Sequence, residues 1–155
     1  MIHIPKHFIP KELLDRATFA RFGADGLRYF RPGILKAFDW IWENYPTTGR
    51  RLITVNTWHI DGDKQWRGLR NPACPEYKPG SAHSVGAGID GVPQGITAQA
   101  ARDWIQDQHA LAVASGDSAE KRPILYVRRM EIGTPTWIHL DSLEWNGLGL
   151  QLVNP

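Results

Sequence analysis

Hydrophobic residues in the first third of the chain recur at helical spacing. A helix over residues 33–45 is predicted because one of its faces carries five hydrophobic side chains: Ile34, Phe38, Ile41, Trp42 and Tyr45. Pro46 then marks its end. A shorter helix is predicted over residues 10–22, with Pro10 near its start and Gly23 after its end. We expect a helical N-terminal part over residues 1–48.

The rest of the chain is predicted to form one more helix and four strands. Thr97 is the predicted N-cap of a helix over residues 98–111, with Ala101, Trp104 and Ile105 on one face. Apolar and β-branched segments predict strands over residues 52–57, 124–130, 136–141 and 148–153. Helices before and among antiparallel strands favour a single α+β domain over residues 1–155, with a small antiparallel sheet.

Composition excludes several classes of protein. The net charge is only +2 and no run of Lys and Arg exceeds two residues, which argues against a nucleic-acid binder. Cys74 is the only cysteine, so an intrachain disulfide and a Cys-rich metal site are both excluded. No segment approaches the roughly 20 apolar residues that span a bilayer, so no membrane insertion is expected. The N-terminus lacks the features of a secretory signal, which predicts synthesis in the cytoplasm.

The segment with the most chemical information is Ser81-Ala-His83-Ser-Val-Gly86-Ala-Gly88-Ile-Asp90. Its glycines allow a sharp turn, so that His83 and Asp90 converge from either side of it. Imidazole nitrogen and carboxylate oxygen are both zinc ligands, and a catalytic zinc normally takes three protein ligands. His139 is the best third candidate because it lies within the predicted strand over residues 136–141. The alternative is a helix-capping Asp and a hydrogen-bonded core His.

The wider pattern resembles a known family. Ser-x-His-x-x-Gly-x-x-x-Asp, followed by Trp-x-His-x-Asp at residues 137–141, is similar to the D-Ala-D-Ala metallopeptidase family. That family contains zinc D-alanyl-D-alanine carboxypeptidases, VanX-type dipeptidases and phage endolysins, and is related to lysostaphin-type peptidases and hedgehog zinc domains. The resemblance covers residues 50–142 and implies a hedgehog-like fold, with Zn²⁺ on His83, Asp90 and His139. Residues 146–155 are expected to add a C-terminal strand and tail.

The resemblance also implies catalytic residues. Arg-Gly-Leu-Arg70 resembles the family's Ser-Gly-Tyr-Arg segment, whose Arg binds the substrate carbonyl or the developing oxyanion. The role therefore falls on Arg70, and Arg67 is the neighbour that could exchange roles with it. Gly88 stands where the family often has Ala, a change expected to be mild.

The pattern departs from the family at the position of the general base. Many family members carry a Glu three residues before the last His, and here that position is Thr136, which cannot serve as a base. Asp141 faces the same side of the strand as His139. It is either the base or a residue that orients a ligand. Glu131 is the other carboxylate that could serve as the base.

The resemblance implies a zinc peptidase acting on peptidoglycan stem peptides, as a D,D- or L,D-type carboxypeptidase or endopeptidase. Its partner is then the cell-wall peptide, reached after holin-dependent release or from within a virion. Two alternatives remain open. One is a non-catalytic zinc domain, such as a phage virion protein on the same fold. The other is a binding module without metal, in which the motif is a coincidence.

Overall fold

The computed structural model describes residues 2–46, 53–144, 147 and 149–155. Within these ranges lie four α-helices: α1 Pro10–Leu13, α2 Arg16–Phe22, α3 Pro32–Asn44 and α4 Ala98–Ala114. The same ranges hold five strands: β1 Ile53–Thr54, β2 Gly88–Pro93, β3 Arg129–Glu131, β4 Ile138–Asp141 and β5 Gln151–Val153. Short 3₁₀ helices occupy Gly23–Tyr29, Trp58–Ile60 and Pro123–Tyr126. The single α+β domain is confirmed.

The strands form one sheet in the order β1-β2-β4-β3-β5. Three of the pairings are antiparallel, but β3 and β5 run parallel. The prediction of a purely antiparallel sheet is therefore wrong for its last strand, and the sheet is mixed. Strand β2 was not predicted, because its sequence Gly-Ile-Asp-Gly-Val-Pro has neither clear alternation nor many β-branched residues. Its pairing with β1 and β4 makes it a strand.

The helix predicted over residues 10–22 is divided into α1 and α2. Leu14 is extended, and the Asp15 side chain accepts a hydrogen bond from the Thr18 amide, which caps α2. The break lets two successive leucines, Leu13 and Leu14, both enter the core. A continuous helix would have separated their side chains by about 100°.

The segment predicted as a strand over residues 124–130 begins instead as a 3₁₀ helix. Pro123 opens that helix, where its missing N–H leaves no hydrogen bond unmade. Ile124 and Val127, three residues apart, are both fully buried on one side of it. Of the predicted strand, only its last residues, which belong to β3, are extended and paired. The predicted strands over 52–57 and 148–153 are likewise shorter, and residues 52 and 148 lie outside the described residues.

Helices α3 and α4 follow their predicted patterns. Ile34, Phe38 and Ile41 of α3 are fully buried in the core. Thr97 caps α4 by accepting a hydrogen bond from the Ala100 amide, and α4 continues to Ala114, three residues beyond its predicted end. None of the helices in the described ranges has the length and hydropathy needed to cross a bilayer.

Candidate metal centre

The three predicted ligands come together at the centre of the sheet. Asp90 on β2 and His139 on β4 lie directly opposite each other in the strand pairing. His83 lies in the turns before β2. Gly86 allows the turn that carries His83 to pack against the backbone of Tyr29. Its φ is +65°, and a Cβ there would lie 1.8 Å from the Tyr29 carbonyl oxygen. Asp90 follows these turns, as predicted, and lies within the paired strand β2.

Three ligand atoms of this group face one another at metal-binding distances. His83 Nε2 lies 3.2 Å from Asp90 Oδ1 and 3.2 Å from His139 Nδ1, and the last two atoms are 2.7 Å apart. Ligands of a tetrahedral zinc with bonds of about 2.0–2.1 Å would be separated by about 3.3 Å. The three residues are 5–7% exposed. The group therefore has the spacing for a metal ion after a small expansion.

Hydrogen bonds behind the two histidines determine which nitrogens face the centre. His83 Nδ1 lies 2.7 Å from the Gly68 carbonyl oxygen, which can only accept, so Nδ1 carries the proton. His139 Nε2 lies 3.3 Å from Asp141 Oδ2 and donates to that carboxylate. When both rings are neutral, the unprotonated nitrogens, His83 Nε2 and His139 Nδ1, point their lone pairs at Asp90 Oδ1. Three converging acceptors repel one another unless a cation or a proton lies between them.

The electrostatics of the group agree with this arrangement. Burial lowers the pKa of His139, but the Asp141 and Asp90 carboxylates outweigh burial and raise it to about 9. Burial raises the pKa of Asp90, yet hydrogen bonds from His139 and His83 bring it well below its usual range. Without a metal, His139 thus holds a proton that it shares with Asp90. A metal ion would take the place of that proton.

The Arg70 guanidinium binds one of the three predicted metal ligands, Asp90. Its Nη2 donates to Asp90 Oδ2 at 3.1 Å, and its Nε donates to the Trp66 carbonyl oxygen at 2.8 Å. Its Nη1 lies 3.4 Å from Glu76 Oε2. The guanidinium therefore holds the Asp90 oxygen that faces away from the two histidines.

Asp141 is surrounded by donors. It is 1% exposed and accepts hydrogen bonds from Arg129 Nε and Nη2, from the Leu143 amide and from His139. Burial raises the pKa of Asp141, but His139 and Arg129 lower it by more. The carboxylate stays ionised and orients the His139 ring.

An open cavity of about 1040 Å³ leads to the three ligands. Trp66 and Trp137 line it, together with Arg67 and Glu131. The β3–β4 register pairs Arg129 with Asp141 and Met130 with Leu140, so its continuation places Glu131 across from His139. Thr136, in contrast, is exposed and is not among the residues that line this cavity.

Two contributors to the site were missed in the sequence. The Gly68 carbonyl orients His83, but a backbone carbonyl has no residue signature. Arg129 holds Asp141, and only the pairing of β3 with β4 reveals this. The general rule that a metal-binding His has a polar partner behind it is the one signal that points to both.

Comparisons of the chain with protein-family models, with curated proteins and with solved structures found no match.

Proposed function

We propose that this protein is a zinc metallopeptidase that hydrolyses a peptide bond in peptidoglycan stem peptides. The observation that carries the proposal is the convergence of three buried acceptor atoms at the floor of an open cavity. Structural zinc sites are normally closed by four protein ligands, whereas catalytic sites use three and leave one position open. Two imidazoles and one carboxylate are a ligand set of catalytic zinc rather than of calcium or magnesium, which prefer oxygen.

When bound, zinc supplies a hydroxide nucleophile near neutral pH and polarises the substrate carbonyl. The chain's own groups must then hold the ligands and move a proton. In this proposal Arg70 positions Asp90 through its outer oxygen, and Asp141 positions His139. Both residues act on the metal through a ligand, rather than on the substrate directly.

Glu131 is the base in this proposal. Its carboxylate lines the cavity and makes no hydrogen bond or ion pair with any described residue. Asp141 lacks this freedom, because both of its oxygens already accept hydrogen bonds. In this proposal Glu131 takes the proton of the attacking water as the new C–O bond forms, and returns it to the leaving amine as the C–N bond breaks. A neighbouring strand thus supplies the carboxylate that position 136 lacks.

The substrate class follows from the resemblance to the D-Ala-D-Ala metallopeptidases. Trp66 and Trp137 line the open cavity and offer large apolar surfaces against which a peptide can pack. Release by a holin, or carriage in a virion, would bring the enzyme to the cell wall.

The test combines metal analysis with digestion of purified peptidoglycan, with products identified by mass. The wild-type protein should hold about one zinc per chain and release peptide fragments. Glu131→Gln should keep zinc and lose about 100- to 10,000-fold in rate, as expected for loss of a general base. His139→Ala should lose both zinc and activity. A zinc-loaded wild type that releases no fragment would overturn the peptidase proposal.

A second candidate is a zinc-binding domain without catalysis, such as a virion protein. One observation favours it: Thr136 stands at the family's base position and is exposed outside the cavity. Full zinc occupancy, no cleavage, and a large fall in thermal stability on zinc removal would select this candidate.

A further inference from the structure

The backbone of Arg67 is fixed against the metal centre. Its amide donates to Asn56 Oδ1 at 3.0 Å, and its carbonyl oxygen accepts a hydrogen bond from the Asp90 amide at 2.6 Å. Asn56 is 1% exposed and donates to the Leu14 carbonyl oxygen, so this support is itself rigid. Arg67 therefore begins from a fixed point beside a metal ligand.

The side chain of Arg67 differs from the other two guanidinium groups of the cavity. Arg70 is bound by Asp90 and Glu76, and Arg129 is bound by Asp141. The Arg67 guanidinium is half-buried in the cavity wall but makes no hydrogen bond or ion pair with any described residue. The Asp90 and Asp63 carboxylates act on this cation only through space, without a direct contact. Its donors therefore remain available within the described residues, and an anion from outside the chain would bind them.

We infer that Arg67 binds a free carboxylate of the substrate peptide next to the scissile bond. The inference rests on the proposed function and deepens it, because it names the feature by which substrates are chosen. A guanidinium presents a planar set of donors that matches a carboxylate with two parallel hydrogen bonds. Since Arg67 is joined through its backbone to Asp90, the bound carboxylate lies a fixed distance from the reacting bond. Peptides with a free carboxylate at that place are preferred over their amides.

The experiment measures peptide binding separately from cleavage. The ligands are an acetylated tripeptide ending in D-Ala-D-Ala and the same tripeptide as its C-terminal amide. Binding is measured by calorimetry in the zinc-loaded Glu131→Gln protein, so that turnover does not consume the ligand. Arg67→Met is added to this background, and Lys78→Met serves as the matched control. Lys78 lines the same cavity with the same charge but is exposed to solvent.

We expect Arg67→Met to weaken binding of the free carboxylate by roughly 10- to 100-fold, the scale for losing a hydrogen bond to a charged group. Binding of the amide, zinc content and thermal stability should change little, because the removed guanidinium makes no hydrogen bond or ion pair within the described part of the chain. Lys78→Met should leave both affinities unchanged.

Three results would overturn the inference: equal affinity of the carboxylate and the amide, no binding of either peptide, or equal losses in Arg67→Met and Lys78→Met. The outcome is separable from that of the peptidase proposal. A carboxylate preference that depends on Arg67 in a wild type without cleavage would support the binding site and reject the enzyme. Cleavage without that preference would support the enzyme and reject the carboxylate-binding site.

Discussion

Replacing Asp141 by Asn separates a positioning role from a role as base. In the native site Asp141 accepts from Arg129 at 3.0 and 2.9 Å, from the Leu143 amide at 2.9 Å and from His139 at 3.3 Å. An Asn side chain keeps one accepting oxygen and turns an amide group toward these donors. His139 then loses the negative charge behind its ring, which makes Nδ1 a weaker ligand.

The expected loss in zinc affinity is about 10- to 100-fold, equivalent to about 1.4–2.7 kcal/mol. It is measured by competition with a chromogenic chelator at fixed pH. Activity should return once zinc is saturating, because the substituted group does not touch the substrate. If Asp141 were the base, zinc affinity would be unchanged and the rate would fall by about 100- to 10,000-fold.

Asp63→Asn is the matched control. Asp63 is a carboxylate on the same cavity, exposed and paired with Lys64 at 2.9 Å, and it contacts no ligand among the described residues. Its removal should leave zinc affinity unchanged. Wild-type zinc affinity in the Asp141→Asn protein would refute the reasoning that Asp141 orients His139.

Three further predictions concern the same centre. Changing His83, Asp90 or His139 to Ala should each lower zinc content well below one per chain, and full zinc in His139→Ala would remove that residue from the site. The pKa of His139, about 9, lies above its usual 6.5, so the metal-free site is protonated at pH 7. Zinc binding should then release about one proton at pH 7 and fewer above pH 9, as calorimetry in buffers of different ionisation enthalpy will show; no release would contradict the shared proton. Finally, a Cβ at position 88 would lie 2.7 Å from Ala82 Cβ and 3.0 Å from His139 Cε1. Gly88→Ala should therefore weaken zinc binding and lower the free energy of unfolding by about 1–3 kcal/mol, and unchanged values in both would show that the change is mild.

The sequence by itself determined the parts of this protein that depend on local pattern. Helices α3 and α4 were predicted because each buries one long face, and the hydrophobic residues on that face recur at helical spacing. The cap at Thr97 is equally local. The grouping of His83, Asp90 and His139 was predicted for a different reason: residue types suited to zinc stand in a recognisable motif.

Only the tertiary structure decided how these pieces meet. Strand β2 is held by its pairing with β1 and β4, although four of its six residues (two Gly, one Asp and one Pro) are poor strand formers. The register in which β3 pairs with β4 sets Arg129 against Asp141, and its continuation puts Glu131 across from His139. A shift of one residue would turn both side chains away. Arg70 and Arg67 stand three residues apart in one motif, yet the first is bound by carboxylates and the second is open to the cavity. Such differences arise from contacts between segments distant along the chain, which no local pattern of residues encodes.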